Sequence, residues 1–128
     1  REDVHVNLAF FVSINPDRRE AIEDARTTVA FYGSAREYET YFEAHGFGEQ
    51  VRRLYERVER GESVNTAEFV PDEMVCTFAL CGDADEVRDQ VERAWSVADS
   101  MWLTPPAWGM PLEKLAFYDQ MIAQTFYG

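Results

Sequence analysis

Three carboxylates crowd the helix start that follows Gly82, in the stretch FALCGDADEVRDQVE running from Phe78 to Glu92. A glycine ahead of a helix can cradle a phosphate, because the free N–H groups and the positive end of the helix dipole both point at the anion. Here Asp83, Asp85 and Glu86 already stand where that anion would sit. Asp83 or Asp85 is expected to cap the helix, and all three side chains suit its positive end. The junction therefore reads as a corner in a scaffold. Neither a GxGxxG run nor a Walker-type lysine occurs elsewhere in the chain.

The remaining reactive side chains are few. Cys76 and Cys81 lie five apart with no histidine nearby. On one continuous helix they would point in different directions, which argues against a bridge and for two reduced core thiols in a cytoplasmic protein. Ser13 has no neighbouring base, and no His, Cys and Asp cluster has the spacing of a metal site. His5 falls at the start of a strand pattern and reads as structural. His45, at a helix end before Gly46, reads as a cap against the dipole. Glu56 and Arg60, four apart, read as a solvated helix face.

The elements that must carry these groups follow from periodicity. VHVNLAFFVSI, Val4 to Ile14, alternates as a strand, with Val4, Val6, Leu8, Phe10, Val12 and Ile14 on one face. NPDRRE stops it and opens a helix, with Asn15 as the expected cap and Pro16 at the first helical position. The stripe of that helix is Ala21, Ile22, Ala25, Val29 and Tyr32, and Gly33-Ser34 ends it. Further helices are expected over Ala35 to Ala44, Gly48 to Arg60, Pro71 to Gly82, and Asp83 to about Asp99, with ESVNTAEF as a polar loop between the second and third of these. The Asp83 helix has the stripe Ala84, Val87, Val91, Ala94, Trp95 and Ala98. SMWLT reads as a second short strand, TPPAWGMP as a stiff loop, and Pro111 to Phe126 as a last helix. That helix is apolar nearly all round and needs partners on most sides. Two strands separated by helices are most economically parallel neighbours in one sheet. Two strands do not complete an α/β domain, so the chain reads as part of a larger fold or as a protomer that shares its core.

Composition narrows the setting. The 128 residues are enough for one domain with a core. No apolar run approaches the ~20 residues of a membrane span. With 24 acidic against 12 basic residues the formal net charge is -12, which repels nucleic acid and anionic membranes. Lys114 is the sole lysine. An acidic, lysine-poor surface fits a protein adapted to high salt, with an ordinary acidic cytoplasmic protein as the alternative. A start at Arg1, without methionine, is expected of a piece of something longer.

Taken in order, DRREAIEDARTTVAFY, YFEAHGFGEQV, VPDEMVCTFALCGDADEVRDQVE and SMWLTPP resemble the C-terminal part of the luciferase-like monooxygenase superfamily. Within it they are most similar to the deazaflavin-dependent oxidoreductases related to methylenetetrahydromethanopterin reductase. The composition resembles a haloarchaeal member. The resemblance covers nearly the whole chain. It implies a predominantly helical α/β fold, the last two strands and associated helices of a (β/α)8 barrel, whose complete form needs ~250 residues. It implies a parent that moves a hydride to or from a small organic substrate with the deazaflavin coenzyme F-420, or alternatively FMN. The isolated piece, residues 1–128 as one segment, would hold no cofactor and would be inactive. The cofactor face would lie at the carboxyl ends of the strands. Its residues there would be Ser13 and Asn15 after the first strand, and Thr104, Pro105 and Trp108 after the second. Trp108 could stack on a ring, although packing is the simpler use of Trp102 and Trp108. The expected partners are the remainder of the barrel or a second copy. The competing function class is a stand-alone helical module that oligomerises and binds no cofactor.

Overall fold

A computed structural model of the chain describes residues 4–62 and 69–128. Strand β1 spans Asn7–Ile14 and is followed by helix α1, Arg18–Gly33. A 3-10 turn, Arg36–Tyr38, leads into α2, Glu39–Ala44, and then α3, Gly48–Glu59. Helix α4, Asp72–Phe78, runs straight into strand β2, Ala79–Gly82. Helix α5, Ala84–Ala94, strand β3, Ser100–Thr104, and helix α6, Leu112–Phe126, complete the chain.

The sheet has three parallel strands in the order β2-β1-β3. Phe11 of β1 faces Ala79 of β2 on one side and Thr104 of β3 on the other. Strand β1 is thus central. Chain-order neighbours, as in a closed barrel, would put β3 beside β2; here it pairs with the opposite edge of β1. The described strands form an open sheet covered on both faces. Ala79, Cys81 and Phe11 pack with α1, α2, α3 and α4 in one apolar cluster. Val12, Ile14 and Leu80 pack with α5 and α6 in the other. The period-2 alternation of β1 divides its side chains between the two.

Four expectations from the sequence are corrected. Residues 71–82 are a helix and a strand, not one helix. FALCG is a short apolar run that suits either state, and pairing with the free edge of β1 decides for strand. The helix cap before α1 is Asp17, whose carboxylate accepts from the Arg19 and Glu20 N–H groups; Asn15 lies two residues earlier. Only Glu39–Ala44 of the expected 35–44 helix is α-helical, its first turn being 3-10. Helix α5 stops at Ala94, leaving Trp95 46% exposed, so its apolar stripe is shorter than the spacing suggests. Most of the expected loop ESVNTAEF lies outside the described residues. No helix among the described residues is long and apolar enough to cross a membrane.

Candidate functional site

The turn after β2 is closed to anions. Gly82 has φ 147°, a conformation that side chains other than hydrogen resist. The Asp83 carboxylate accepts from the Glu86 N–H at 2.9 Å, and the Glu86 carboxylate accepts from the Asp83 N–H at 3.0 Å. This reciprocal capping takes up two of the N–H groups and puts two carboxylates where a phosphate would sit. The start of α1 is capped in a similar manner by Asp17.

Two other places gather functional groups. The first is an aromatic cleft of about 380 Å³ over the sheet, lined by Ala9, Phe11, Tyr32, Tyr38, Phe78, Trp102 and Thr104 among others. The rings support one another. Phe11 stacks on Phe78 with centroids 5.8 Å apart, and Tyr32 meets Tyr38 edge-on at 5.1 Å. The cleft exists because α1 ends in the aromatic pair Phe31-Tyr32 and α4 ends in Phe78, so both helices present rings at the same level of β1. Its walls suit a flat, apolar ring system.

The second is a polar cluster at the carboxyl end of β1. The Asn15 Nδ2 donates to the Tyr118 hydroxyl at 3.1 Å, which donates in turn to Asp24 Oδ2 at 2.6 Å. Lys114 Nζ reaches both Asp24 oxygens, at 2.8 and 3.0 Å, and Glu20 at 3.3 Å. Burial, and then the bond to Asp24, hold the Tyr118 hydroxyl well above the usual phenol range. An open cavity of about 280 Å³ lies against Asn15, Glu20, Lys114 and Tyr118.

The five residues expected at a cofactor face are thus divided. Ser13 is fully buried and donates to the Ala21 carbonyl at 2.8 Å, tying β1 to α1. Asn15 joins the polar cluster, and its side-chain oxygen also accepts from the Asp17 N–H at 2.9 Å. Thr104 lines the aromatic cleft. Pro105 is buried just beyond it. Trp108 lies flat on Phe31, with centroids 3.9 Å apart and planes 14° from parallel, and its backbone N–H bonds the Thr28 hydroxyl at 3.1 Å. His5, just ahead of β1, bonds Ser100 of β3 at 2.9 Å, a structural use. Sequence reasoning does not bring Asp24, Lys114 and Tyr118 together as a group. The signal that points to them is the sole lysine of an acidic chain, which will find a carboxylate, and a phenol set in an otherwise apolar helix.

Comparison with known proteins defines the class. The luciferase-like monooxygenase family model matches residues 1–99, and the chain belongs to that family. Among curated relatives, a Mycobacterium tuberculosis protein provisionally named a coenzyme F420-dependent oxidoreductase is 31% identical over 104 residues, 77% of this chain and 30% of its own length. An uncharacterized Mycobacterium bovis protein is 30% identical over 90 residues, 68% of this chain and 26% of its own. The chain therefore spans under a third of the length of these relatives. No solved structure matches it.

Proposed function

We propose that this chain is the C-terminal part of an oxidoreductase that moves a hydride between a deazaflavin coenzyme, or alternatively a flavin, and a small organic substrate. The observation that carries the reading is the family match over residues 1–99, to which the name of the M. tuberculosis relative adds the coenzyme. The parent would be a (β/α)8 barrel. When bound, the coenzyme supplies the hydride donor or acceptor. The aromatic cleft fits the ring of such a group: Phe11, Tyr32, Phe78 and Trp102 offer flat apolar walls and Thr104 a hydroxyl. It does not fit the anionic tail, because no cationic side chain lines it and the helix starts after β1 and β2 are filled by carboxylates. The tail would be held by the rest of the parent, which agrees with an inactive isolated piece.

The chain alone and a longer protein that contains it should be titrated with oxidised F420 and with FMN, following coenzyme fluorescence. Binding by the longer protein, weakened about tenfold by Phe78→Ala, supports the reading. A longer protein that binds neither coenzyme sinks it.

A second reading, a stand-alone oligomerising module, rests on the exposure of Trp102, Leu112 and Tyr127, which are 67%, 80% and 75% accessible. Such apolar surface is also what a missing part of a parent would cover. Sedimentation of the chain separates the two: a defined oligomer without coenzyme affinity in any longer form favours the module.

A further inference from the structure

We propose that Cys76 and Cys81 form a peroxide-responsive dithiol, in which Cys76 is the thiol attacked first and Cys81 resolves it to an intrachain disulfide. The proposal is independent of the hydride-transfer reading.

The two thiols belong to different elements. Cys76 lies in the last turn of α4 and is half-buried, whereas Cys81 lies in β2 and is 2% exposed. Divergence of the two side chains requires one continuous helix. The break into extended backbone at Ala79 removes that premise and brings both into one apolar cluster. The two side chains act on each other: Cys81 favours the charged form of Cys76, and Cys76 the neutral form of Cys81. The Arg18 guanidinium stands 3.9 Å from the Cys76 sulfur and is itself held by Glu86 at 3.3 Å. Asp72 opposes this field at Cys76, and Arg26 adds to Arg18 at Cys81. The Cys81 side chain, and then the charge of Arg18, bring the Cys76 thiol down to about 6. The Cys76 side chain, and then burial, push the Cys81 thiol up. A thiolate that is exposed enough to be reached, beside a buried thiol that is not, defines attacking and resolving roles.

The steps balance with hydrogen peroxide as the oxidant. The Cys76 thiolate displaces hydroxide from the peroxide, giving a sulfenic acid, and the hydroxide takes up a proton as water. The Cys81 sulfur then attacks the Cys76 sulfur and loses its proton as a second water leaves. Two thiols and one peroxide give one disulfide and two waters. The new bond would tie the end of α4 to β2 at the level of Ser13, the residue paired in register with Cys81.

The test uses the full chain with dilute hydrogen peroxide at neutral pH. Intact mass after alkylation should show loss of both thiols within one chain, reversed by a dithiol reductant. Cys81→Ser should stop at a Cys76 sulfenic acid that a 1,3-dione traps. Arg18→Gln should slow the first step about threefold at neutral pH, since it lowers the thiolate fraction. The proposal is overturned if both thiols survive peroxide. It is equally overturned if the only disulfide joins two chains, or if Cys76 proceeds to the sulfinic acid while Cys81 stays reduced. The wild-type mass measurement requires no variant, so it decides the matter even where a variant fails to fold.

Discussion

The Tyr118 hydroxyl of α6 bonds the Asp24 carboxylate of α1 at 2.6 Å, across 94 residues of sequence. Tyr118 is 1% exposed, so its hydroxyl could be buried only with partners at hand. Asn15 supplies one and Asp24 the other, which fastens the last helix to the carboxyl end of β1. Tyr118→Phe keeps the ring, leaves the Asn15 Nδ2 without its acceptor and leaves Asp24 to Lys114 alone. The expected loss is about 1–2 kcal/mol of unfolding free energy, measured by urea denaturation at neutral pH. Lys114 continues to neutralise Asp24 in this variant, so a loss far above that range would mean that α6 had detached.

This link shows where sequence reasoning runs out. The alternation of β1 and the stripe Ala21, Ile22, Ala25, Val29 and Tyr32 of α1 are local patterns; the first four are buried as expected, whereas Tyr32 is only partly buried and lines the cleft. Strand β2 is not local information. FALCG carries too few residues to declare a period, and only the unpaired edge of β1 makes it a strand. The polar cluster escapes sequence reasoning on different grounds: Asn15, Asp24 and Tyr118 come from three parts of the fold, and no spacing along the chain encodes their meeting. Trp108 is legible as an aromatic on a stiff loop, but its stacking partner, Phe31, follows only from how that loop folds back on α1.

Arg26 is 5% exposed and ties three groups together. It donates to the Val70 carbonyl and to Asp72, and reaches Glu23 at 2.8 Å. Replacing it with Gln leaves the carbonyl of buried Val70 short of a donor and takes the cation from the half-exposed carboxylates. Unfolding free energy should fall by about 2 kcal/mol in denaturant titration. A change within about 0.5 kcal/mol would show that water replaces the guanidinium without cost.

Acid should unfasten the same site. Hydrogen bonds from Arg19 and then Arg26 hold the Asp72 carboxyl below its ordinary 3.8, and Arg26 holds Glu23 below 4.5. A carboxylate with a depressed folded value binds fewer protons when folded than when unfolded. Its contribution is therefore complete above the ordinary value and drains away as pH falls below it toward the folded value. Melting temperature should hold level from neutral pH to about pH 5 and then fall. Asp72→Asn should melt lower at neutral pH and lose less on acidification. Both carboxylates are about half exposed, so the difference will be modest and will shrink in salt. Parallel acid curves for wild type and variant would place the acid sensitivity elsewhere.

Gly82 and Glu86 constrain each other. A Cβ on Gly82 would stand 2.9 Å from Glu86 Oε1, the oxygen that accepts from Asp83. Gly82→Ala must therefore strain the backbone at φ 147° and swing Glu86 out of the cap. Together these cost about 2 kcal/mol. In Glu86→Ala the carboxylate half of the cap is already gone and only the Cβ contact at 3.1 Å remains, so adding Gly82→Ala should cost the backbone share and little more. Calorimetry on the two single variants and the double variant measures this, and strict additivity would mean that the two residues do not share the effect.

Salt should stabilise the fold through its charge imbalance. The sole lysine, Lys114, is already shared by Glu20 and Asp24, and the described arginines mostly sit in local pairs such as Arg36 with Glu59. Pairing leaves a large surplus of carboxylates, since acidic residues outnumber basic ones 24 to 12. Their mutual repulsion favours the expanded chain in dilute buffer. Raising the ionic strength shortens the Debye length from ~30 Å at about 0.01 M to ~3 Å at about 1 M, which removes most repulsion between exposed groups. The melting temperature should rise steeply from low to molar potassium chloride. Charge reversal separates this from a general salting-out effect. Glu56 and Asp89 are exposed, and Glu56→Lys with Asp89→Lys should flatten the rise by raising the low-salt end. Reversing Glu20 or Asp24 should not stabilise at low salt, because each would set a second cation against Lys114. A wild-type melting temperature that is level across this range would assign the acidity to an ordinary protein and not to one adapted to high salt.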